Sequence, residues 1–284
     1  MAQKRSENTY QKINTIFKRD EHNIIMPHED FAVPELNWLR NCKFDATEKI
    51  DGTNIRIEVV PVINLDYNDE RPFCFTVYYK GKTDNAQIPG HLLKHLEDTY
   101  PKEKVLESLG LPEYLSNEYC SEKGYIDFDD IPRYTIYGEG YGMKIQKGGN
   151  YIKNGVGFIV FDVKVNDMYL LKESMEDIAN KLGAPVVPYM GQFTIDEAIE
   201  FVKTGFKSTI AENPDYDAEG LVLKCPDGLR TRRGDRIIFK IKTCDFVKLN
   251  NHQKNNKKYD LQELSAIHMG DDLLVREINI KDLT

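Results

Sequence analysis

Lys49-Ile50-Asp51-Gly52-Thr53-Asn54 sits between two apolar, strand-like stretches, and far downstream stand Glu219-Gly220-Leu221-Val222-Leu223-Lys224 and Phe239-Lys240-Ile241-Lys242. A lysine beside an aspartate and a glycine, with a distant carboxylate and a distant lysine pair, is the set an amine needs to attack a nucleotide phosphate. Such an amine must first lose its proton, and an unperturbed lysine titrates near pH ~10.4. Lys240, Lys242 and a bound metal would lower that value by like-charge repulsion, and would also neutralise charge developing on the phosphate. Lys240 and Lys242 share one strand face by the period of two, with Phe239 and Ile241 packing behind. Glu219 opens an apolar strand and suits a hard cation such as Mg2+. Glu139, in Tyr137-Gly138-Glu139-Gly140-Tyr141-Gly142, is flanked by glycines that let backbone and ligand approach closely. Taken singly these fragments are ambiguous, because Asp-Gly is also a turn dipeptide and lysines on a strand are often solvated. Their order along one chain is the signal.

Strands are needed to position these groups, and period-2 apolar patterning predicts them near Phe44–Glu48, Thr53–Val60, Phe73–Tyr79, Tyr134–Glu139, Phe158–Val165, Gly220–Lys224 and Arg236–Lys242. Helices are predicted over His91–Leu109, over Ser174–Lys181 ahead of Gly183, and from the capping-box pattern at Thr194–Glu197 to about Thr204. Helices that do not alternate regularly with strands argue for an α+β fold with a mostly antiparallel sheet. The polar run Asn250–Lys258 reads as a linker or mobile loop, and Tyr259–Thr284 as a tail that docks as a helix or strand.

The chain of 284 residues carries net charge −8, yet Lys224–Lys258 holds eleven Lys or Arg against three acids. One basic segment on an acidic body suits a polyanionic partner. No apolar run is long enough to cross a bilayer, and five widely spaced cysteines without a CxxC pair argue against a disulfide framework and a zinc site, so a cytoplasmic protein is expected. His91 and His95 lack the glutamate of a zincin and are expected on a helix surface.

In order, Lys49-x-Asp51-Gly52, Glu139, Phe161-Asp162, Glu219-Gly220 and Lys240-x-Lys242 resemble five motifs of the covalent nucleotidyltransferases, and within them the ATP-dependent RNA ligases. The resemblance covers about Lys12 to Phe246. It implies an ATP-grasp-like adenylation domain over residues 1–246; the sequence departs from DNA ligases and capping enzymes after Phe246, where 247–284 is expected to be a short linker and tail with no OB domain. It further implies that Lys49 forms a lysyl-AMP from ATP with Mg2+ or Mn2+, and that AMP then passes to an RNA 5'-phosphate, which a 3'-hydroxyl attacks. By the same resemblance Glu48 holds the adenine amino group and Phe161 stacks on the base. Asp51 and Glu139 contact ribose or metal-bound water, Gly52 belongs to the nucleotide-binding loop, Glu219 supports the metal, and Lys240 and Lys242 hold phosphate. Family members usually carry an arginine after the first motif; here Lys80-Gly81-Lys82-Thr83-Asp84-Asn85 offers Lys82 instead. A lysine is a point charge and an arginine a fork, so that contact differs in kind.

Arg230, Arg232 and Arg233, between the last two motif strands, are the expected RNA contacts, with Lys18 or Arg19 of the entry strand Lys12–Asp20 a second basic element. No protein partner is implied. A minimal DNA ligase, a polynucleotide 5'-adenylyltransferase and a non-catalytic RNA-end-binding module remain alternatives. The intact set Lys49, Glu219, Lys240 and Lys242 speaks against the last.

Overall fold

The computed structural model describes residues 8–27, 31–63, 73–111, 131–146 and 151–254. Ten strands and six helices are described: β1 (Asn14–Thr15), α1 (Glu35–Trp38), β2 (Phe44–Glu48), β3 (Thr53–Ile63), β4 (Phe73–Gly81), α2 (Gly90–Thr99), α3 (Lys102–Ser108), β5 (Tyr134–Gly142), β6 (Val156–Val165), β7 (Met168–Tyr169), α4 (Lys172–Leu182), β8 (Tyr189–Phe193), α5 (Ile195–Thr204), β9 (Gly220–Lys224), β10 (Ile238–Lys242), and α6, residues 243–254. They form two five-stranded sheets, ordered β1-β10-β9-β2-β8 and β4-β3-β5-β6-β7. Every pairing between these strands is antiparallel except β1 with β10. The α+β expectation holds.

Each sheet buries one face under helices, as alternating apolar residues require. Leu92 and Leu96 of α2, Val105 and Leu106 of α3, and Met175, Ala179 and Leu182 of α4 pack with Ile55, Ile57, Phe158 and Val160 of the second sheet. Ile195, Ala198 and Val202 of α5 pack with Phe44, Ala46, Leu221, Leu223, Phe239 and Ile241 of the first. Residues 185–188 join the sheets by backbone hydrogen bonds: Val160 donates to Pro185, Val187 to Val160, and Glu48 to Pro188. Thr47 and Glu48 of β2, Lys224 of β9 and Lys240 of β10 line a cavity together with Asn54 and Glu139 of the second sheet.

The single helix expected over His91–Leu109 is two. Pro101 has no N–H to donate and forces Tyr100 out of the helical region, at φ −125° and ψ 58°, so α2 ends and α3 restarts after the proline. The capping box of α5 forms as read, with the Glu197 amide donating to Thr194 Oγ1 and the Thr194 amide to the Glu197 carboxylate. Strand β8 was not anticipated, because it is a short edge strand with no alternation of buried and exposed residues and with Gly191 at its centre. The Asn250–Lys258 run is not a loop at its start: α6 continues through residue 254, with Phe246 and Leu249 packed on the first core, so the expected boundary at 246 falls inside a helix. Residues 255–284 lie outside the described residues, as does Cys120; Cys42, Cys74, Cys225 and Cys244 are free thiols. Among the described residues no helix is long and apolar enough to cross a membrane.

Candidate active site

Strand β2 ends at Glu48, and the chain turns through Lys49–Gly52 into β3, which belongs to the other sheet. That turn opens on a cavity of about 400 Å³ lined by Lys49, Asn54, Lys82, Glu139, Phe161 and Lys240 among others. Gly52 is required there by close packing: a Cβ would stand 2.3 Å from the Gly140 carbonyl oxygen and 2.7 Å from Glu139 Cγ. Gly220 is required twice over, with φ +147° and a Cβ position 2.0 Å from the Ile241 carbonyl oxygen.

Glu219 joins the distant motifs. Its Oε2 accepts from Lys49 Nζ at 2.5 Å and its Oε1 from Lys242 Nζ at 2.6 Å. The Lys49 amide donates to the Gly220 carbonyl at 2.8 Å, so the lysine's backbone and its head are both fixed by the same dipeptide. Phe239 and Ile241 are buried behind Lys240 and Lys242, as the period of two requires. The group that burial and the cations Lys49 and Lys242 act on is Lys240, whose pKa is pushed down to about 8. Burial in the low-dielectric interior, with Glu219 and Asp51 nearby, pushes Glu139 up to about 8 against the pull of Lys49 and Lys82. Asp51 is raised as well, by burial and then by Glu219. These three carboxylates therefore crowd one region electrostatically, although among the described residues no three acidic, histidine or cysteine groups form a ready-made metal cage.

Phe161 lines the cavity and meets Tyr10 edge-on, with ring centroids 5.0 Å apart. Behind it, buried Asp162 accepts from Tyr10 Oη at 2.8 Å, Arg236 at 2.9 Å and Lys224 at 3.1 Å. Burial alone would raise the Asp162 pKa, but Lys224 and Arg236 outweigh it and hold the carboxyl below its usual range. Glu48 is almost wholly buried and is bonded by Ser208 and Thr209. The Asp51 amide donates to Tyr151 Oη at 2.9 Å.

Lys82 reaches the cavity as expected. The nearby arginine of the sequence, Arg56, does not: it is fully buried and bonds Glu58, Asp84 and the Gly81 carbonyl, which holds the Lys80–Asp84 turn from below. Arg230, Arg232 and Arg233 are exposed on the β9–β10 hairpin and do not line this cavity, and Arg230 donates to the Gly234 carbonyl at 2.9 Å. Arg19 is tied to Asp245 at 2.7 Å, and the N-terminal segment instead presents Tyr10, Gln11 and Lys12 to the cavity wall. His91 is exposed on α2 and His95 half-buried.

Tyr10, Tyr151, Ser208 and Thr209 escaped sequence reasoning, since none is near a motif in the chain. Lys224 was legible in principle, two residues beyond Val222 on the same strand face.

Residues 43–242 match the RNA ligase family. The chain belongs to the RNA ligase family. Solved structures of Naegleria gruberi RNA ligase share its fold: an apo mutant aligns with TM-score 0.51 at 15% identity, covering 86% of this chain and 58% of that one. A mutant with ATP and Mn aligns with TM-score 0.51 at 16% identity, covering 87% and 59%. A third mutant, with AMP and Mn, aligns with TM-score 0.50 at 14% identity over 86% and 58%. This chain thus spans less than two thirds of those proteins. No curated protein sequence matches it. The matched residues of this RNA ligase family member run from the start of β2 to the end of β10, and so include both strands that flank the Lys49 turn and both that carry Glu219 and the lysine pair.

Proposed function

We propose that this protein is an ATP-dependent RNA ligase that seals a 5'-phosphate to a 3'-hydroxyl through a lysyl-AMP and an adenylylated RNA end. One observation carries the reading: Glu219 holds Lys49 on one oxygen and Lys242 on the other, beside a cavity of nucleotide size. In the first step Lys49 Nζ gives up a proton, for which Glu219 Oε2 is the acceptor within reach, and its lone pair attacks the α-phosphorus of ATP. A P–N bond forms, the P–O bond to pyrophosphate breaks, and pyrophosphate leaves with that electron pair. Lys82, Lys240 and Lys242 offset the charge on phosphate. Asn54 Oδ1, a buried acceptor with no partner, lines the same cavity and suits a ribose hydroxyl.

Asp51, Glu139 and Glu219 repel one another, and a divalent cation is the charge that such a set lacks. Mg2+ or Mn2+ would be held chiefly by Glu219 and Asp51 with phosphate oxygens and water, and would add electrostatic stabilisation at phosphorus. Phe161 suits stacking on the base and Glu48 its amino group. In the later steps the RNA 5'-phosphate displaces Lys49 from AMP, and the 3'-hydroxyl then displaces AMP. The exposed arginines Arg230, Arg232 and Arg233 suit the phosphates of that RNA. Free thiols throughout the described residues fit a cytoplasmic setting.

Intact-mass spectrometry after incubation with ATP and Mg2+ tests the first step, with an adduct of AMP mass on Lys49 expected. 5'-Phosphorylated RNA and DNA, offered as nicks and as single strands, test the rest. Sealing of DNA in preference to RNA would favour the DNA ligase reading, and an adduct on another residue would overturn the assignment of Lys49.

A further inference from the structure

Residues 205–218, between α5 and β9, form a closed loop beside the cavity. Ser208 donates its amide to the Tyr216 carbonyl at 2.8 Å, Ala218 to Phe206 at 2.9 Å, and Lys207 pairs with Asp217 at 2.7 Å. Its inner edge is spent on one side chain. The Thr209 amide and hydroxyl both donate to Glu48 Oε2, at 2.9 and 2.8 Å, and the Ser208 hydroxyl donates to Oε1. Ser208 Oγ in turn accepts from the Ile210 amide at 3.3 Å, so its one proton is directed at Glu48.

A carboxylate accepts about four hydrogen bonds, two per oxygen. Both sites on Oε2 are taken, and one of those on Oε1. Glu48 lines the nucleotide cavity next to Lys49, and its exposure is 1%, so water does not compete freely for what remains. A single acceptor in such surroundings favours a donor and penalises a carbonyl oxygen, which would be left buried and unpaired against a negative group.

We propose that Ser208 and Thr209 are positioning residues for base selection: they fix Glu48 so that its one open acceptor site meets the exocyclic amino group of adenine and rejects a base with a carbonyl at that edge. This rests on the nucleotide reading given above and deepens it. The loop is well suited to the task because it also leads directly into Glu219 and Gly220, and because the Glu212 amide bonds the carbonyl of Tyr151, whose hydroxyl holds the Asp51 amide. One loop thus braces the chain on both sides of Lys49.

The test compares covalent adduct formation with ATP, inosine triphosphate and purine riboside triphosphate, which present an amino group, a carbonyl and neither. The wild-type protein is expected to favour ATP over each by at least about tenfold, well inside the roughly 10⁴–10⁵-fold rejection that a site built to bond a polar group can command. In the Ser208→Ala, Thr209→Val double variant that preference falls to within about threefold, and Thr209→Ser, which keeps the hydroxyl, retains it. An unchanged preference in a double variant with native melting overturns the proposal, and so does an equal loss with all three nucleotides, the mark of a merely structural role. If the double variant does not fold, Thr209→Val against Thr209→Ser decides by the same ratio. A wild-type protein that forms no adduct at all overturns the ligase reading instead. Equilibrium binding of the same three nucleotides then yields the preference and still decides the role of Ser208 and Thr209.

Discussion

Lys224, Arg236, Lys240 and Lys242 stand on β9 and β10 or directly beside them, whereas Arg230, Arg232 and Arg233 stand on the hairpin between, and the two groups meet different surroundings. The inner cations face the space between the sheets, and three of them have buried or half-buried partners: Asp162 for Lys224 and Arg236, Glu219 for Lys242. The hairpin arginines are exposed, and the side-chain bond described for them is to the hairpin's own backbone. A single basic run in the sequence is therefore two devices. Cations removed from water act strongly on neighbouring charge and on each other, as the lowered pKa of Lys240 shows. Cations in water act through screened attraction and counterion release.

The largest effects should come from the inner group and the residues it serves. Lys49→Ala should abolish the AMP adduct, and Lys49→Arg should do the same because a guanidinium stays protonated at working pH. Glu219→Ala, which unpairs Lys49 and Lys242 together, should slow adduct formation on the order of a hundredfold or more, and Lys240→Ala comparably. Single-turnover rates near wild type in either variant would remove that residue from the chemistry.

Next in size is Asp162→Ala, which strands Arg236 and Lys224 without their carboxylate. Breaking a buried pair from one side costs roughly 3–5 kcal/mol, and urea unfolding should read a loss of that order. A loss under about 1 kcal/mol would class this cluster with surface ion pairs instead.

A smaller effect separates burial from charge. Glu139 titrates near 8 when folded, well above an unfolded glutamate, so its contribution to stability is intact below about pH 4.5 and is lost as pH rises through about 8. Lys240, depressed to about 8, works in a different window: its penalty is present at and below that pH and fades as pH rises towards about 10.5. The ligand-free protein should thus lose stability from about pH 5 to 8 by more than ~1.4 kcal/mol, one unit's worth, and Glu139→Gln should flatten that part of the profile. A slope unaltered by the substitution would assign it elsewhere.

The outer group should show the least at the first step. Neutralising Arg230, Arg232 and Arg233 together should leave adduct formation with ATP alone within about twofold, while weakening RNA binding and lowering its salt slope by roughly 0.7–0.9 per lost phosphate contact. An unchanged slope would make these arginines solvated surface and move the RNA track elsewhere.

Much of the frame was legible from local pattern. The seven anticipated strands form close to where period-2 alternation puts them, because each sheet has one buried face, and Gly183 and the Thr194 capping box end and begin helices by local chemistry. Lys49, Asp51, Gly52, Glu139, Glu219, Lys240 and Lys242 were singled out from residue type and order, and Phe161 only through the family resemblance. Other features depend on contacts between residues far apart in the chain. Glu219 is 170 positions from Lys49, and the Thr209 hydroxyl that bonds Glu48 is 161 away. Tyr10 reaches Asp162 across 152 positions. Alternation along a strand determines which side chains share a face, and so Lys240 and Lys242 could be paired in advance. Which carboxylate they would meet, which arginine would be buried as Arg56 is, and which of the cations would be left in water were decided only when the two sheets closed on each other, because burial and partner choice are properties of the packed faces and not of the strand.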